Sequence, residues 1–249
     1  MMMESHMQAF LAHVVRVSDL THDVREIELS LDEPPDIVFA AGQFVSFRIP
    51  VPGLRYPLTR PYSIVSPPSL RSSITLLFNL VPGGPGSSFL YALRLGDAVQ
   101  FQGPAGMFVL REGDDRDLLL VATGTGIAPL RSMLLTRLEQ PGSSRVSLVW
   151  GLRSERDLYY QDELRALAAE HPRFSFVTTL SQASDKWTGE RGRVQRTVEE
   201  RVDSTDRLAV YVCGNSGMIK AVSDIIRRKG VCPIHREQYY RDAEPMPGK

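Results

Sequence analysis

What most limits the fold of this chain is a change of rhythm near residue 110. Before it, short apolar segments alternate with polar residues and are punctuated by glycine and proline. Ala12–Val17, Val24–Leu31, Gln43–Ile49, Tyr62–Val65, Ile74–Leu80 and Ala98–Gln102 read as strands. The period-two alternation of a half-buried strand is clearest in Gln43–Ile49. Turn residues separate them: Pro34-Pro35, Pro52-Gly53, Pro67-Pro68, Pro82–Gly86 and Gly103-Pro104. A short helix is expected at about Ser87–Leu93. Many short strands with this punctuation imply an antiparallel barrel or sandwich.

After Arg111 strands alternate with helices. Asp117–Ala122 is a continuous apolar strand followed by a glycine turn and a helix over Pro129–Leu138. Strands at Arg145–Gly151, Phe174–Leu180 and Leu208–Cys213 alternate with helices at Gln161–Ala169, Val194–Val202 and Ser216–Lys229. Such alternation implies a doubly wound parallel sheet covered on both faces. The expected fold class is therefore α+β and then α/β. The polar run Arg111–Arg116 sets the boundary, giving domains 8–111 and 112–249.

Bulk properties exclude more than they identify. Basic and acidic residues balance at 29 each, so no global field favours nucleic acid or an anionic membrane. Two cysteines, Cys213 and Cys232, exclude a disulfide framework and a cluster held by four thiolates. They fit a reducing cytoplasmic home. No apolar run reaches the roughly 18–20 residues of a membrane span. Met1–Met7 lacks the basic-then-apolar order of a secretory leader. A soluble cytoplasmic monomer is expected. The histidines show no metal-ligand spacing, and no Ser-His-Asp or paired-carboxylate arrangement stands out.

In an open α/β sheet, ligands gather at the carboxyl ends of the strands. The first such end here is Ala122-Thr123-Gly124-Thr125-Gly126-Ile127-Ala128-Pro129. Its glycines let the backbone approach a pyrophosphate, and the following helix presents free N–H groups and the positive end of its dipole. The same turn also serves plain strand–helix packing, and proline replaces the third glycine of the Rossmann fingerprint. A later end, Tyr211-Val212-Cys213-Gly214-Asn215, repeats the strand–glycine–helix arrangement. There Cys213 is either a small buried hydrophobe or a contact to a bound ring. Cys232 is structural.

Upstream, Arg60-Pro61-Tyr62-Ser63 gathers a cation, a ring and a hydroxyl, and Gly86-Ser87-Ser88 opens the short helix. With Ala41-Gly42-Gln43-Phe44, Gly103-Pro104-Ala105-Gly106, the Gly124–Pro129 turn and Cys213-Gly214, these motifs run in order from about Ala9 to Tyr240. The set resembles the ferredoxin–NADP reductase superfamily of flavoproteins. The resemblance implies an N-terminal six-stranded antiparallel barrel that holds FAD and a C-terminal doubly wound domain that holds NADPH or NADH. It implies hydride transfer to flavin N5 and then single electrons to ferredoxin or flavodoxin, whether as a stand-alone reductase or as the reductase component of an oxygenase. A non-enzymatic electron-transfer or assembly subunit that keeps the fold is the competing class.

By position, the resemblance assigns Arg60 to FAD phosphate, Tyr62 with Pro61 to the isoalloxazine face and Ser63 to flavin N5. Gly86, Ser87 and Ser88 would donate to the FAD pyrophosphate through backbone and hydroxyl. Gly124, Thr125 and Gly126 would cradle the nicotinamide nucleotide's phosphates, with Gly214 at the neighbouring turn. Cys213 would approach the nicotinamide. Glu237, two residues before Tyr239, would join Ser63 and Cys213 around the hydride path, and Tyr239 would cover the other flavin face. The chain departs from the family where Val81 precedes the pyrophosphate loop in place of a base, and where Ala105 stands for a common phenylalanine. Ser181-Gln182 stands where NADPH users often have serine or threonine then arginine. Arg153 and Arg193 are the cations that could meet a 2′-phosphate, whereas Trp187-Thr188-Gly189 resembles NADH users. The donor stays open between NADPH and NADH.

Overall fold

The computed structural model describes residues 7–240. It has two compact units. The first runs up to Leu110 and takes in Arg131–Glu139; the second comprises Arg111–Leu130 and the chain from Gln140 onward.

The first unit is a six-stranded antiparallel sheet of β1 (Gln8–Asp19), β2 (Val24–Glu33), β3 (Phe44–Ile49), β4 (Leu58–Ser63), β5 (Ser73–Asn79) and β6 (Ala98–Ala105). Their spatial order is β4-β3-β6-β1-β2-β5. A bridge between Ile64, just past β4, and Leu76 of β5 brings the two outer strands together. Alternation places Val45, Phe47 and Ile49 of β3 inside, at 0%, 0% and 2% exposure. There Phe47 meets Phe101, which stacks on Phe10 at 5.1 Å. Helix α1 (Pro85–Ala92) starts on a proline, which gives up no intrahelical bond at that position. Its other end is held by cations. Arg94 donates to the carbonyls of Tyr91, Ala92 and Leu93, and the buried Arg25 donates to Tyr91 O at 2.7 Å. Both positive charges offset the negative end of the dipole.

The six expected strands are present, with two differences. β4 begins at Leu58, so Arg60–Ser63 is strand throughout rather than the opening of one. Gly103-Pro104, expected as a turn, lies inside β6. A Cβ at Gly103 would stand 2.9 Å from Val45 Cγ1, so glycine lets β6 pass close to β3. A register shift between Phe44 and Ser46 leaves Pro104, which has no N–H, without a paired residue. Gln43 ties two of the motifs together: its Oε1 accepts from Ala40 N and its Nε2 donates to Gly106 O.

The second unit is a six-stranded parallel sheet. In chain order it has β7 (Asp117–Thr123), a 3₁₀ turn (Gly124–Gly126), α2 (Ile127–Glu139), β8 (Val146–Leu152), α3 (Gln161–Glu170), β9 (Phe174–Leu180) and β10 (Glu190–Arg191). There follow α4 (Val194–Arg201), β11 (Leu208–Asn215), α5 (Ser216–Lys229) and β12 (Ile234–Tyr240). The strand order is β10-β9-β8-β7-β11-β12. Progression runs outward from β7 to β10 and then restarts on the other side at β11, so the topological switch point lies between β7 and β11. Residues of α4 and α5, among them Val194, Val198, Val222 and Ile226, share one apolar core with Val121, Val149, Val210 and Val212 of the sheet.

Two strands were not expected from sequence. β10 has only two residues, too few for a period. β12 reads Ile-His-Arg-Glu-Gln-Tyr-Tyr and pairs only with β11. An edge strand needs no continuous apolar run, so its pattern carries little signal. No helix among the described residues is long and apolar enough to cross a membrane.

Candidate functional site

In the first unit the site grows from β4, an outer strand of the sheet. Tyr62 lies opposite Val45 and Arg60 opposite Phe47. Two residues apart, they share one face. Tyr62 is half-buried and meets Phe47 and Phe78 edge-on, at 5.8 and 5.9 Å between centroids. Arg60 is exposed, and its guanidinium bonds only the neighbouring Thr59 carbonyl among the described residues. Pro61 is exposed and withholds an N–H from this outer strand. Ser63 is 5% exposed and its hydroxyl makes no hydrogen bond to a described residue.

Gly86 brings the second motif against the first. A Cβ at this position would lie 2.6 Å from Tyr62 Oη and 2.9 Å from Arg60 Cγ, so only glycine lets α1 begin here. No side chain caps the first turn of α1, and that turn holds no acidic residue. Its N–H groups are thus presented to solvent or ligand. Two of the expected donors are committed elsewhere. Ser87 Oγ accepts from Val81 N at 3.0 Å and reaches the Val81 and Gly84 carbonyls, while Ser88 N donates to Gly84 O. The Ser87 hydroxyl closes the loop, and the Ser88 hydroxyl is the exposed one. An uncapped helix start, an unpaired guanidinium and an aromatic face fit a pyrophosphate joined to a flat ring, as in FAD.

In the second unit two glycine-bearing strand ends flank the switch point, a 3₁₀ turn after β7 and the last residues of β11. Gly124 has φ +53, and Gly126 sits where a Cβ would be 2.5 Å from Cys213 O. The glycine thus lets α2 begin against the end of β11. As in α1, no side chain caps α2 and its first turn holds no acid. Two aromatic residues that sequence reading did not single out, Trp150 and Tyr159, both donate to the Gly124 carbonyl. Their sequence signal is faint, since an indole in a buried strand reads as core. Thr125 is buried. These features fit the phosphates of a dinucleotide.

The end of β11 differs, because Gly214 and Asn215, expected in a turn, are the last residues of the strand and α5 follows at once. Gly214 has φ +154, and a Cβ there would collide with Thr123 Oγ1. Asn215 Oδ1 accepts from Met218 N at 2.8 Å and caps α5. Cys213 is fully buried and registers with Ala122 of β7 on one side and Glu237 of β12 on the other. Burial first, and the Glu237 charge second, hold its thiol well above the usual range, so it stays protonated and is no nucleophile. Glu237 Oε2 is buried without a hydrogen-bond partner among the described residues, and burial pushes the carboxyl up to about 7. At neutral pH it is populated in both forms, as a proton donor or acceptor requires. Tyr239 lies two residues on in β12, half-buried.

Arg153 follows β8 and Ser181 follows β9. Gln182 N donates to Arg153 O at 2.7 Å, and Ser181 N donates to Leu152 O at 3.1 Å, so the two strand ends are zipped side by side. Arg193 is the residue before α4. Both guanidinium groups are exposed and have no side-chain partner among the described residues, whereas nearby Arg196 pairs with Glu200 and Arg201 with Glu190.

Residues 11–110 match the oxidoreductase FAD-binding domain, and residues 120–224 match the oxidoreductase NAD-binding domain. Ferredoxin–NADP reductase B of Sorangium cellulosum is 34% identical over 241 residues, covering 93% of this chain and 98% of that one. The chain belongs to the ferredoxin–NADP reductase superfamily. Some of its relatives are longer. The reductase component DmpP of phenol 2-monooxygenase from Pseudomonas sp. is 35% identical over 233 residues, which span 91% of this chain and 64% of that protein. The crystal structure of the Amycolatopsis cytochrome P450 reductase GcoB superposes with a TM-score of 0.85 at 31% identity, covering 96% of this chain and 72% of that one. This superfamily member is an NAD(P)H-dependent flavoprotein reductase with FAD and NAD(P)H as its cofactors.

Proposed function

We infer that the protein draws electrons from NAD(P)H into FAD and passes them singly to a separate protein carrier, ferredoxin or else flavodoxin. Residues 8–111 form the FAD-binding part and residues 112–249 the NAD(P)-binding part. When bound, FAD accepts a hydride and releases electrons one at a time. The chain supplies binding, alignment and proton handling.

Arg60 holds FAD phosphate with the first turn of α1 and Ser88. Tyr62, bounded by Pro61, offers its ring to the isoalloxazine, and Ser63 offers an uncommitted hydroxyl to N5. Gly124, Thr125 and Gly126 receive the nucleotide phosphates, and Gly214 shapes the adjoining strand end. Cys213 aligns the nicotinamide by contact, Glu237 holds or gives a proton, and Tyr239 covers a flavin face. The observation that carries the reading is the pair of uncapped helix starts, one beside Arg60 and one after a glycine turn, set against the side-chain-capped α5. A non-enzymatic module has no need of an open phosphate turn beside Cys213 and a carboxyl tuned by burial.

The exposed guanidinium groups of Arg153 and Arg193, without side-chain partners among the described residues, favour NADPH as donor, since each would add a charge-assisted bond to a 2′-phosphate. Relatives named as reductase components support a second setting, with an oxygenase as the final acceptor. The balanced charge supports a protein free of nucleic acid and of anionic membrane, and a cytoplasmic monomer is part of the proposal.

Anaerobic titration of the FAD-loaded protein tests the donor and the activity together. NADPH bleaches the flavin absorbance at lower concentration than NADH, and Arg153→Ala raises the NADPH requirement about tenfold while leaving NADH unchanged. Cytochrome c is then reduced only when ferredoxin is added. No bleaching by either nucleotide sinks the enzymatic reading.

A further inference from the structure

The peptide between Gly124 and Thr125 is held with more donors than a turn of this length requires. Trp150 Nε1 donates to the Gly124 carbonyl at 3.0 Å and Tyr159 Oη at 3.2 Å. Ile127 N–H is shared between the carbonyls of Gly124 and Thr125. Trp150 is fully buried in β8, where it registers with Ala122 of β7. Tyr159 is 6% exposed, just ahead of α3. The two rings meet edge-on at 4.7 Å, and Tyr160 packs on Tyr159 at 5.1 Å. The donors are therefore fixed by packing before any ligand arrives.

Bulk does not fix the turn itself. Gly124 lies at φ +53, and a Cβ there would meet nothing within 4 Å. A glycine with open space on this side can rotate its peptide at little steric cost. Rotation would matter electrostatically. In a trans peptide the C=O and N–H point in opposite directions, so a carbonyl drawn inward sends the Thr125 N–H outward. The reverse orientation would face a phosphate with the negative end of a peptide dipole.

The geometry points to Trp150 and Tyr159 as positioning residues that lock the Gly124–Thr125 peptide with its N–H, not its C=O, toward the pyrophosphate of the nicotinamide nucleotide. This deepens the proposed function and rests on the reading of Gly124–Gly126 as the nucleotide's phosphate turn. Neither side chain touches the ligand. Both act through one carbonyl, so their effects are not independent. A packing role alone would affect every part of the nucleotide site equally.

The test uses the full-length FAD-loaded protein and titration calorimetry. Two probes carry the pyrophosphate, NADP⁺ and NAD⁺. Two lack it, 2′-AMP and adenosine. Tyr159→Phe removes only the hydroxyl. It should raise the Kd of the preferred dinucleotide about five- to tenfold, as expected for one hydrogen bond. The affinity for the corresponding fragment, the flavin spectrum and the thermal midpoint should stay unchanged. Trp150→Phe should act in the same direction, and the double variant should exceed either alone. Equal losses for dinucleotide and fragment, or no loss for either, would overturn the proposal. If the wild type binds neither dinucleotide, the phosphate-turn reading fails first and takes this inference with it.

Discussion

The glycine-bearing ends of β7 and β11 look alike in sequence and differ in structure. After β7 the helix start is left without a side-chain cap, and the turn's carbonyl is drawn away by Trp150 and Tyr159. After β11 the helix start is closed by Asn215, and the glycine exists to clear Thr123. The start of α2 has no side-chain cap among the described residues, while the start of α5 is capped by Asn215, and Cys213 pairs in register with Glu237. Glycine alone therefore does not mark a phosphate site.

The comparison breaks most visibly at Gly126. Gly126→Ala forces a Cβ to within 2.5 Å of the Cys213 carbonyl, a backbone atom that has little room to yield. Nucleotide binding should fall about a hundredfold or more, with a stability loss of about 1–3 kcal/mol from overpacking. Calorimetry with NADP⁺ and a thermal melt of the FAD-loaded protein would show both. Intact affinity would mean that α2 does not need its close approach to β11.

A smaller effect is expected beside the end of β11, at Glu237. Its folded-state carboxyl sits near 7 against an ordinary value of 4.5, so the folded protein binds the proton more tightly than the unfolded chain does. Stability from this group is complete below the ordinary value and is lost as pH rises through about 7. Glu237→Gln should therefore raise the thermal midpoint at pH 8 and leave it unchanged at pH 4. Flavin reduction should slow about a hundredfold, the low end of the roughly 10²–10⁴-fold usual for one general acid or base, and lose its inflection near neutrality. A rate profile unchanged by the substitution would remove Glu237 from proton handling.

The smallest expected effect sharpens the contrast. Asn215→Ala removes a cap and should cost about 1 kcal/mol of stability while leaving dinucleotide affinity intact. A matching loss of affinity would show that the end of β11 also contacts the nucleotide phosphates.

Most of the architecture was legible because it repeats. The core strands β1 to β3 and β7 to β9 announce themselves through alternation or continuous apolar runs, whereas α1 begins at Pro85, inside the segment read as a turn. Glu237 was found by resemblance and not by pattern, since β12 is an edge strand with little apolar character. Gly103-Pro104 misled because turn residues inside a strand are rare, and only the closeness of Val45 explains them. Ser87 carried the right chemistry at the right place, but its hydroxyl is spent on the Val81 loop. Trp150 and Tyr159 were invisible as functional residues because aromatic side chains ahead of a helix or within a strand ordinarily mean core.

The sequence by itself determined the two modes of folding, the order of the motifs and the membership of a flavoprotein superfamily, since each depends on local period or on short ordered patterns. The tertiary structure decided which donors are free. Whether a hydroxyl, an amide or a guanidinium is available depends on what stands within hydrogen-bond reach across strands distant in the chain. Neighbours in sequence do not reveal that. It separated Arg60, Arg153 and Arg193 from their paired counterparts, gave Glu237 a proton it can exchange near neutrality, and turned two core aromatics toward one carbonyl.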